Sequence, residues 1–332
     1  MRSIKTKEFA INDTNFLRFI AILLIINSHL KDYYPIPYLG TGGAMGNSLF
    51  FAVSSFGLFL SERVNPRPFT EWYARRVRRI YPTVWVVLIA LTLPYKLYMK
   101  AFDINNILTF LGNFFYPPFW FLQAIMIFYF AIFFIIKKCN LRKIYCLFFL
   151  LSASYAIIYL NYLDLSVWCI EEDLRIKLIF YFMIFLFGTI IAVRNDTIRY
   201  SGFRDWGLLF LSVFMIYAHK FLMLKNIASS FQFIQQLFLF PFIYYFFKVS
   251  RSGLIQKKLM QLPIVSTTIN YISNLTLELY LVHLYVGIYI TKLNLPFPMN
   301  IIVFLIATLI ISALVKFLSE FIFFSSIKFL QT

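Results

Sequence analysis

Of the 332 residues, 61% are apolar, 21% aromatic and only 14% charged, and the formal net charge is +17. Soluble globular domains carry about 25% charged and about 45–50% apolar residues, so this composition excludes them and indicates a polytopic membrane protein. The basic residues lie in short runs between apolar stretches, which is the pattern of membrane topology rather than of nucleic-acid binding.

The chain opens with Met1-Arg2-Ser3-Ile4-Lys5-Thr6-Lys7 ahead of an apolar run that lacks a small-residue cleavage site, so the first segment reads as an uncleaved span. A helical span needs about 20 apolar residues, fewer where neighbours bury it. On that rule ten spans fall near residues 15–33, 46–61, 79–99, 119–136, 144–162, 178–193, 206–222, 230–247, 270–290 and 299–322. The stretch 101–118 reads as a loop with a partial re-entrant helix, because Tyr116-Pro117-Pro118 breaks any helix that precedes it. The expected fold is therefore all-α: a polytopic membrane helix bundle of about ten transmembrane helices. It forms one membrane domain over residues 1–332, without a soluble appendage.

An even number of spans puts both termini on one side. With the N-terminus inside, 23 of the 31 basic residues fall on the inner side and eight on the outer: Lys31, Lys96, Lys100, Arg175, Lys177, Lys220, Lys225 and Lys292. That asymmetry predicts both termini in the cytoplasm. Cys139, Cys146 and Cys169 have neither CxxC spacing nor a nearby histidine, so they read as packing residues, with no metal site indicated.

The first span contains two ionisable residues, Arg18 and His29. Eleven residues at 100° and about 1.5 Å each bring both to one helical face, about 16 Å apart along the axis. An intramembrane ionisable residue is a functional candidate by default. Arg18 reads either as a snorkelling anchor or as a functional cation. His29 reads either as an interfacial histidine or as a group that exchanges protons or acts as a nucleophile. Asp32, three residues on, is placed either to orient the ring or to serve as an outer loop charge.

The second span is rich in small residues, with Gly42 and Gly46 at a spacing that permits close helix approach. The third opens with Arg75-Arg76-Val77-Arg78-Arg79-Ile80-Tyr81-Pro82. This cluster holds a loop in the cytoplasm. Arg76 and Arg79 also share a face at i, i+3, and guanidinium groups bind phosphate as a fork, so with Arg18 they form a candidate anion site.

The ninth span places Asn270, Asn274 and Glu278 on one polar stripe and Thr276, Tyr280 and His283 on another. His283 lies about 140° around the helix from Glu278, so the two are not a simple acid–base pair. The stripes read either as a structural network or as a substrate or proton path.

Taken in order, these segments resemble the acyltransferase-3 family of bacterial integral-membrane acyltransferases. Arg18 and His29 match its Arg-x10-His signature, and Phe50-Phe51-Ala52-Val53-Ser54-Ser55-Phe56 is similar to its Phe-Phe-x-x-Ser-Gly-Phe, with Ser55 in the glycine's place. Arg76 and Arg79 with Pro82 match Arg-x-x-Arg-x-x-Pro; Trp120-Phe121-Leu122 resembles a Trp-x-Leu segment, and Tyr280-Leu281-Val282-His283 a late Tyr-Leu-x-His. No glutamate follows Trp120 as in some branches, so the resemblance is to the short branch without a fused esterase-like domain.

The resemblance implies transfer of an acyl group, most often acetyl, from cytoplasmic acyl-CoA to a hydroxyl of a cell-surface or lipid-linked glycan at the bacterial cytoplasmic (inner) membrane. Acyl-CoA is then a co-substrate, and no permanently bound cofactor is expected. Arg76, Arg79 and Arg18 would hold its phosphates. His29 would serve as general base or transient acyl carrier, with Arg18 as the second catalytic residue. Glu278, Tyr280, His283 and Trp120 would line the acceptor side. The partners are acyl-CoA, a glycan or lipid-linked saccharide and the lipid bilayer, with no nucleic acid. A transporter of a glycolipid or small anion is the alternative that the same intramembrane Arg, His and Glu residues permit.

Overall fold

The computed structural model describes residues 2–99, 104–162, 173–225, 227 and 231–329, and all the regular structure among them is helical. Seven segments are long and apolar enough to cross a membrane: Pro37–Val64, Phe69–Tyr98, Trp120–Lys138, Leu141–Tyr162, Leu174–Val193, Phe203–Met223 and Met299–Ile322. Two shorter apolar helices, Thr14–Ser28 and Thr276–Thr291, coincide with the first and ninth expected spans. The eighth coincides with Gln232–Val249, whose opening turns carry Gln232, Gln235 and Gln236. The protein is thus an all-α, multi-pass membrane helix bundle.

The residues group into two compact units. The first comprises 1–21, 44–66 and 127–270. It holds the opening part of α1 (Arg2–Ser28), most of α2 (Gly43–Val64), the second half of α6 (Trp120–Lys138), then α7 (Leu141–Tyr162), α8 (Leu174–Val193), α9 (Phe203–Leu224), α10 (Gln232–Val249) and most of α11 (Pro263–Asn274). Asp173 caps α8, its carboxylate accepting from the backbone N–H groups of Arg175 and Ile176, which satisfies donors that a helix start leaves unpaired.

Within this unit α2 and α8 cross closely. A Cβ at Gly188 would stand 2.7 Å from the Ala52 Cα and closer still to its carbonyl oxygen, so only glycine fits there. Beside that crossing, the Ser55 and Thr189 hydroxyls pair at 2.5 Å, and Phe51 packs on Phe128, Tyr181 and Phe185. Gly42, in the second unit, does make the expected close approach, but from the turn before α2: its φ is 108°, a conformation that favours glycine, and a Cβ there would stand 3.3 Å from the Leu24 carbonyl oxygen of α1. Two buried carboxylates of this unit are paired, Glu62 with Lys137 at 2.6 Å and Asp205 with Lys248 at 2.7 Å.

The second unit comprises 22–43, 67–126 and 271–332. It holds the end of α1, α3 (Phe69–Val87), α4 (Leu93–Tyr98), α5 (Ile104–Gly112), the start of α6, α12 (Thr276–Thr291) and α13 (Met299–Phe329). A π-helical segment, Leu88–Thr92, joins α3 to α4. There the Thr92 hydroxyl pairs with that of Tyr285 at 2.7 Å, a side-chain contact of the kind that accompanies such local unwinding. The stretch expected as a partial re-entrant loop contains the short helix α5, which ends before Tyr116-Pro117-Pro118.

The ninth span is not one helix. It breaks at Leu275, between α11 and α12, where the Thr276 hydroxyl donates to the Ser273 carbonyl at 3.1 Å. Asn270 and Glu278 therefore belong to different helices, and the expected continuous polar stripe is divided. Cys139 and Cys146 are free thiols, whereas Cys169 lies outside the described residues.

Candidate active site

His29 directly follows the last residue of α1, and the chain after it folds back onto that helix end. The Asn27 side-chain amide donates to the carbonyls of Leu39 and Thr41 at 2.8 and 2.9 Å, and the Tyr34 hydroxyl donates to Asn27 Oδ1 at 2.6 Å. Tyr33 then ties the segment to α12 and α13. Its hydroxyl donates to the Gly287 carbonyl at 2.8 Å, its ring lies 5.5 Å from that of Phe304, and its own carbonyl accepts from Asn300 at 2.8 Å. Burial holds the Tyr33 hydroxyl above the usual tyrosine range; the hydrogen bond with Thr291 opposes that rise and the charge of Asp32 adds to it.

These ties place His29 against His283. The ring centroids are 4.9 Å apart. His283 is buried, 1% exposed, while His29 is exposed. Nδ1 of His283 lies 3.0 Å from the Leu279 carbonyl oxygen. A carbonyl only accepts, so that nitrogen carries a proton, and the neutral form of the ring then has its lone pair on Nε2. This Nε2 is buried and has no hydrogen-bond partner among the described residues.

An aromatic line leads away from the pair. Tyr280 is 6.0 Å from His283, Phe121 is 4.8 Å from Tyr280, and Trp120 meets Phe121 edge-on at 5.9 Å. Four residues singled out from sequence, His29, His283, Tyr280 and Trp120, thus share one connected wall, with Phe121 as the link that motif reading passed over.

At the start of α12 the same unit contains a cavity of about 500 Å³. Its wall carries four cations, Arg75, Arg78, Arg79 and Lys316, and two carboxylates, Glu278 and Glu320. Arg78 and Arg79 lie three and four residues after Arg75, and Pro82 lies four and three residues after them, so all four share one face of α3. Arg76 turns elsewhere: its guanidinium lies 4.2 Å over the Trp72 ring and donates to the Trp72 carbonyl at 3.0 Å. Arg75 also pairs with Glu71 at 3.3 Å, and the Lys316 ammonium donates to the Asn274 carbonyl at 3.2 Å.

Glu278 is 6% exposed. One of its oxygens lies 3.3 Å from the Thr83 hydroxyl, and the other has no hydrogen-bond partner among the described residues. Glu278 and His283 are five residues apart on α12, about 7.5 Å along its axis. Arg75, Arg78 and Lys316 escaped sequence reading as site residues because basic residues on the inner side already have a topological explanation, and Thr83 because a lone threonine after Pro82 carries no pattern of its own. The i, i+3, i+7 spacing of Arg75, Arg78 and Pro82 was the signal that could have found the face.

Arg18 belongs to the first unit, half-buried beside Gly57, where a Cβ would lie 3.6 Å from the Arg18 Nη2. The guanidinium runs along a helix surface that glycine leaves bare.

A family model described as an acyltransferase domain, acyltransferase-3, matches residues 11–317. The chain belongs to the acyltransferase-3 family. Comparison with curated proteins and with solved structures returned no match. For this acyltransferase-3 chain, Ser55 in the family's glycine position has a local explanation, since its hydroxyl is satisfied by Thr189 inside the α2–α8 contact. The chain is accordingly a membrane acyltransferase, and its helices fit a lipid bilayer together with an acyl donor and acceptor.

Proposed function

We propose that this chain transfers a short acyl group, acetyl first among them, from cytoplasmic acyl-CoA to a hydroxyl of a cell-surface or lipid-linked glycan at the bacterial inner membrane. The observation that carries the reading is the His29–His283 pair, an accessible imidazole backed by a buried one. His29 takes the proton of the acceptor hydroxyl as its oxygen attacks the thioester carbon. The C–S bond breaks, CoA leaves as the thiolate and takes up the proton, and the acceptor keeps a new ester. His283 holds the His29 ring in place and presents a second lone pair to the proton. Two adjacent rings do not both carry charge cheaply, which favours one shared proton.

The donor's phosphates fit the basic cavity, where Arg78, Arg79 and Lys316 supply guanidinium forks and an ammonium. The thin pantetheine arm offers amide N–H groups, and Glu278, with one oxygen to spare, is suited to accept one of them. Arg18 is retained as a donor-binding and catalytic residue on the strength of the Arg-x10-His match. Tyr280 and Trp120 present aromatic faces suited to a sugar acceptor.

The test is to incubate membranes with labelled acetyl-CoA and envelope glycans, wild type beside His29→Ala. Transfer supports the reading when label reaches glycan and free thiol appears together in wild type only. Movement of a substrate without CoA consumption would instead favour the transporter alternative.

A further inference from the structure

Within the first unit, α7, α8 and α10 line an open cavity of about 520 Å³ whose wall is almost wholly apolar, with Phe148, Ala156, Phe187 and Phe240 among its residues. Both α7 and α8 are long and apolar enough to cross a membrane, so hydrocarbon is the solvent at hand. Four polar side chains interrupt the wall, Ser152, Tyr155, Tyr159 and Gln236, and the Ser152 hydroxyl is spent on the Phe148 carbonyl at 2.8 Å. The Tyr155 hydroxyl donates to the Gln236 side-chain carbonyl at 2.5 Å, which uses the acceptor end of that amide. Its Nε2 end is left over: Gln236 is 6% exposed, lines the cavity, and Nε2 has no acceptor among the described residues. A buried amide donor without a partner is costly, and buried donors in native proteins are almost always satisfied. The missing acceptor therefore belongs to whatever occupies the cavity.

We propose that this cavity binds one acyl chain of a bilayer lipid, with the lipid's ester carbonyl accepting from Gln236 Nε2. The chemistry selects the occupant on two counts. The walls demand hydrocarbon, and Gln236 demands an oxygen acceptor at one place along it. An ester-linked chain supplies both. Gln236 lies little more than one turn into α10, so the ester sits near the helix start and the chain runs on toward Phe240, Phe148 and Phe187. The volume is within the range of single-ligand pockets, about 300–1,000 Å³.

The test uses the full chain in vesicles of phosphatidylglycerol doped with the same lipid carrying a photoreactive diazirine at the chain end, with adducts mapped by mass spectrometry. Adducts should concentrate on the α7, α8 and α10 peptides bearing Phe148, Phe187 and Phe240. Ala156→Trp, which fills the space, should lower their yield about tenfold, and Gln236→Leu severalfold. The ether-linked analogue, which lacks the carbonyl, should compete severalfold less well than the ester lipid. Thermal melts of both variants show whether each is folded; if Ala156→Trp is not, Gln236→Leu and the ether comparison decide alone. Adducts spread evenly over all helices, equal competition by ether and ester lipids, or displacement by a polyprenyl phosphate but not by the unlabelled ester lipid would each overturn the proposal.

Discussion

The imidazole rings of His29 and His283 stand 4.9 Å apart, one exposed and one buried, and the buried ring is fixed through Nδ1 to the Leu279 carbonyl. If the buried ring supports the exposed one, His283→Gln keeps much of the volume but not the second basic nitrogen. We expect kcat to fall by about 10²–10⁴ while KM for acetyl-CoA changes little. Thiol release at varied acetyl-CoA measures both constants, and an unchanged kcat would remove His283 from the chemistry.

The basic cavity predicts the opposite split. Arg79→Gln and Lys316→Gln each remove a charge-assisted contact to a phosphate, so KM for acetyl-CoA should rise about tenfold, in line with roughly 1.5–3 kcal/mol per charged hydrogen bond. The effect should shrink as salt is added. Glu278→Gln should raise KM as well, because an amide places an N–H where an acceptor was needed, whereas kcat should hold.

Arg76 should behave unlike its neighbours. With its guanidinium over Trp72, Arg76→Gln removes a cation–π contact of about 0.5–2 kcal/mol. A lower melting temperature with an unchanged KM for acetyl-CoA is the expected result in a detergent-solubilised thermal melt. A selective rise in KM would return Arg76 to the donor site.

How much of this was legible beforehand follows from what each pattern encodes. Hydropathy marks where helices run, so each expected span overlaps a helical segment among the described residues, seven of them long and apolar enough to cross a membrane. It cannot register the break at Leu275, because Thr276 to Ile290 continues the apolar run and the interruption lies in one residue's backbone angles. His29 and His283 were each conspicuous as imidazoles in apolar sequence, yet their contact depends on Tyr33 and Asn300 fastening the connection after α1 to α12 and α13, and no local spacing carries that. Arg76 and Arg79 share a motif but not a fate, since Trp72, one turn earlier, draws Arg76 away from the cavity. Lys316 was visible only as the one cation of the last span; packing of α13 against α3 and α12 makes it a fourth cation of the cavity.

Tyr33 gives a prediction with a definite sign in pH. Its folded pKa is raised by burial, so the folded state holds the phenolic proton more tightly than the unfolded one. Its contribution is complete below the unfolded tyrosine value of about 10 and declines as pH rises beyond it. Tyr33→Phe should cost about 1 kcal/mol through the bond to Gly287 and should flatten that alkaline decline in melts taken from neutral to alkaline pH.

Gly188 tests the packing of the first unit. A side chain there meets the Ala52 backbone at 2.7 Å or less, so Gly188→Val should destabilise by about 1–3 kcal/mol and lower the melting temperature. An unchanged melt would mean that α2 and α8 separate readily.

The most direct measurement is the fate of label from acetyl-CoA in membranes containing wild-type or His29→Ala protein at matched abundance and melting temperature. Acyl transfer through His29 predicts labelled glycan ester and stoichiometric free CoA in wild type, and loss of both in His29→Ala. Equal labelling and equal thiol release by the two proteins would contradict it.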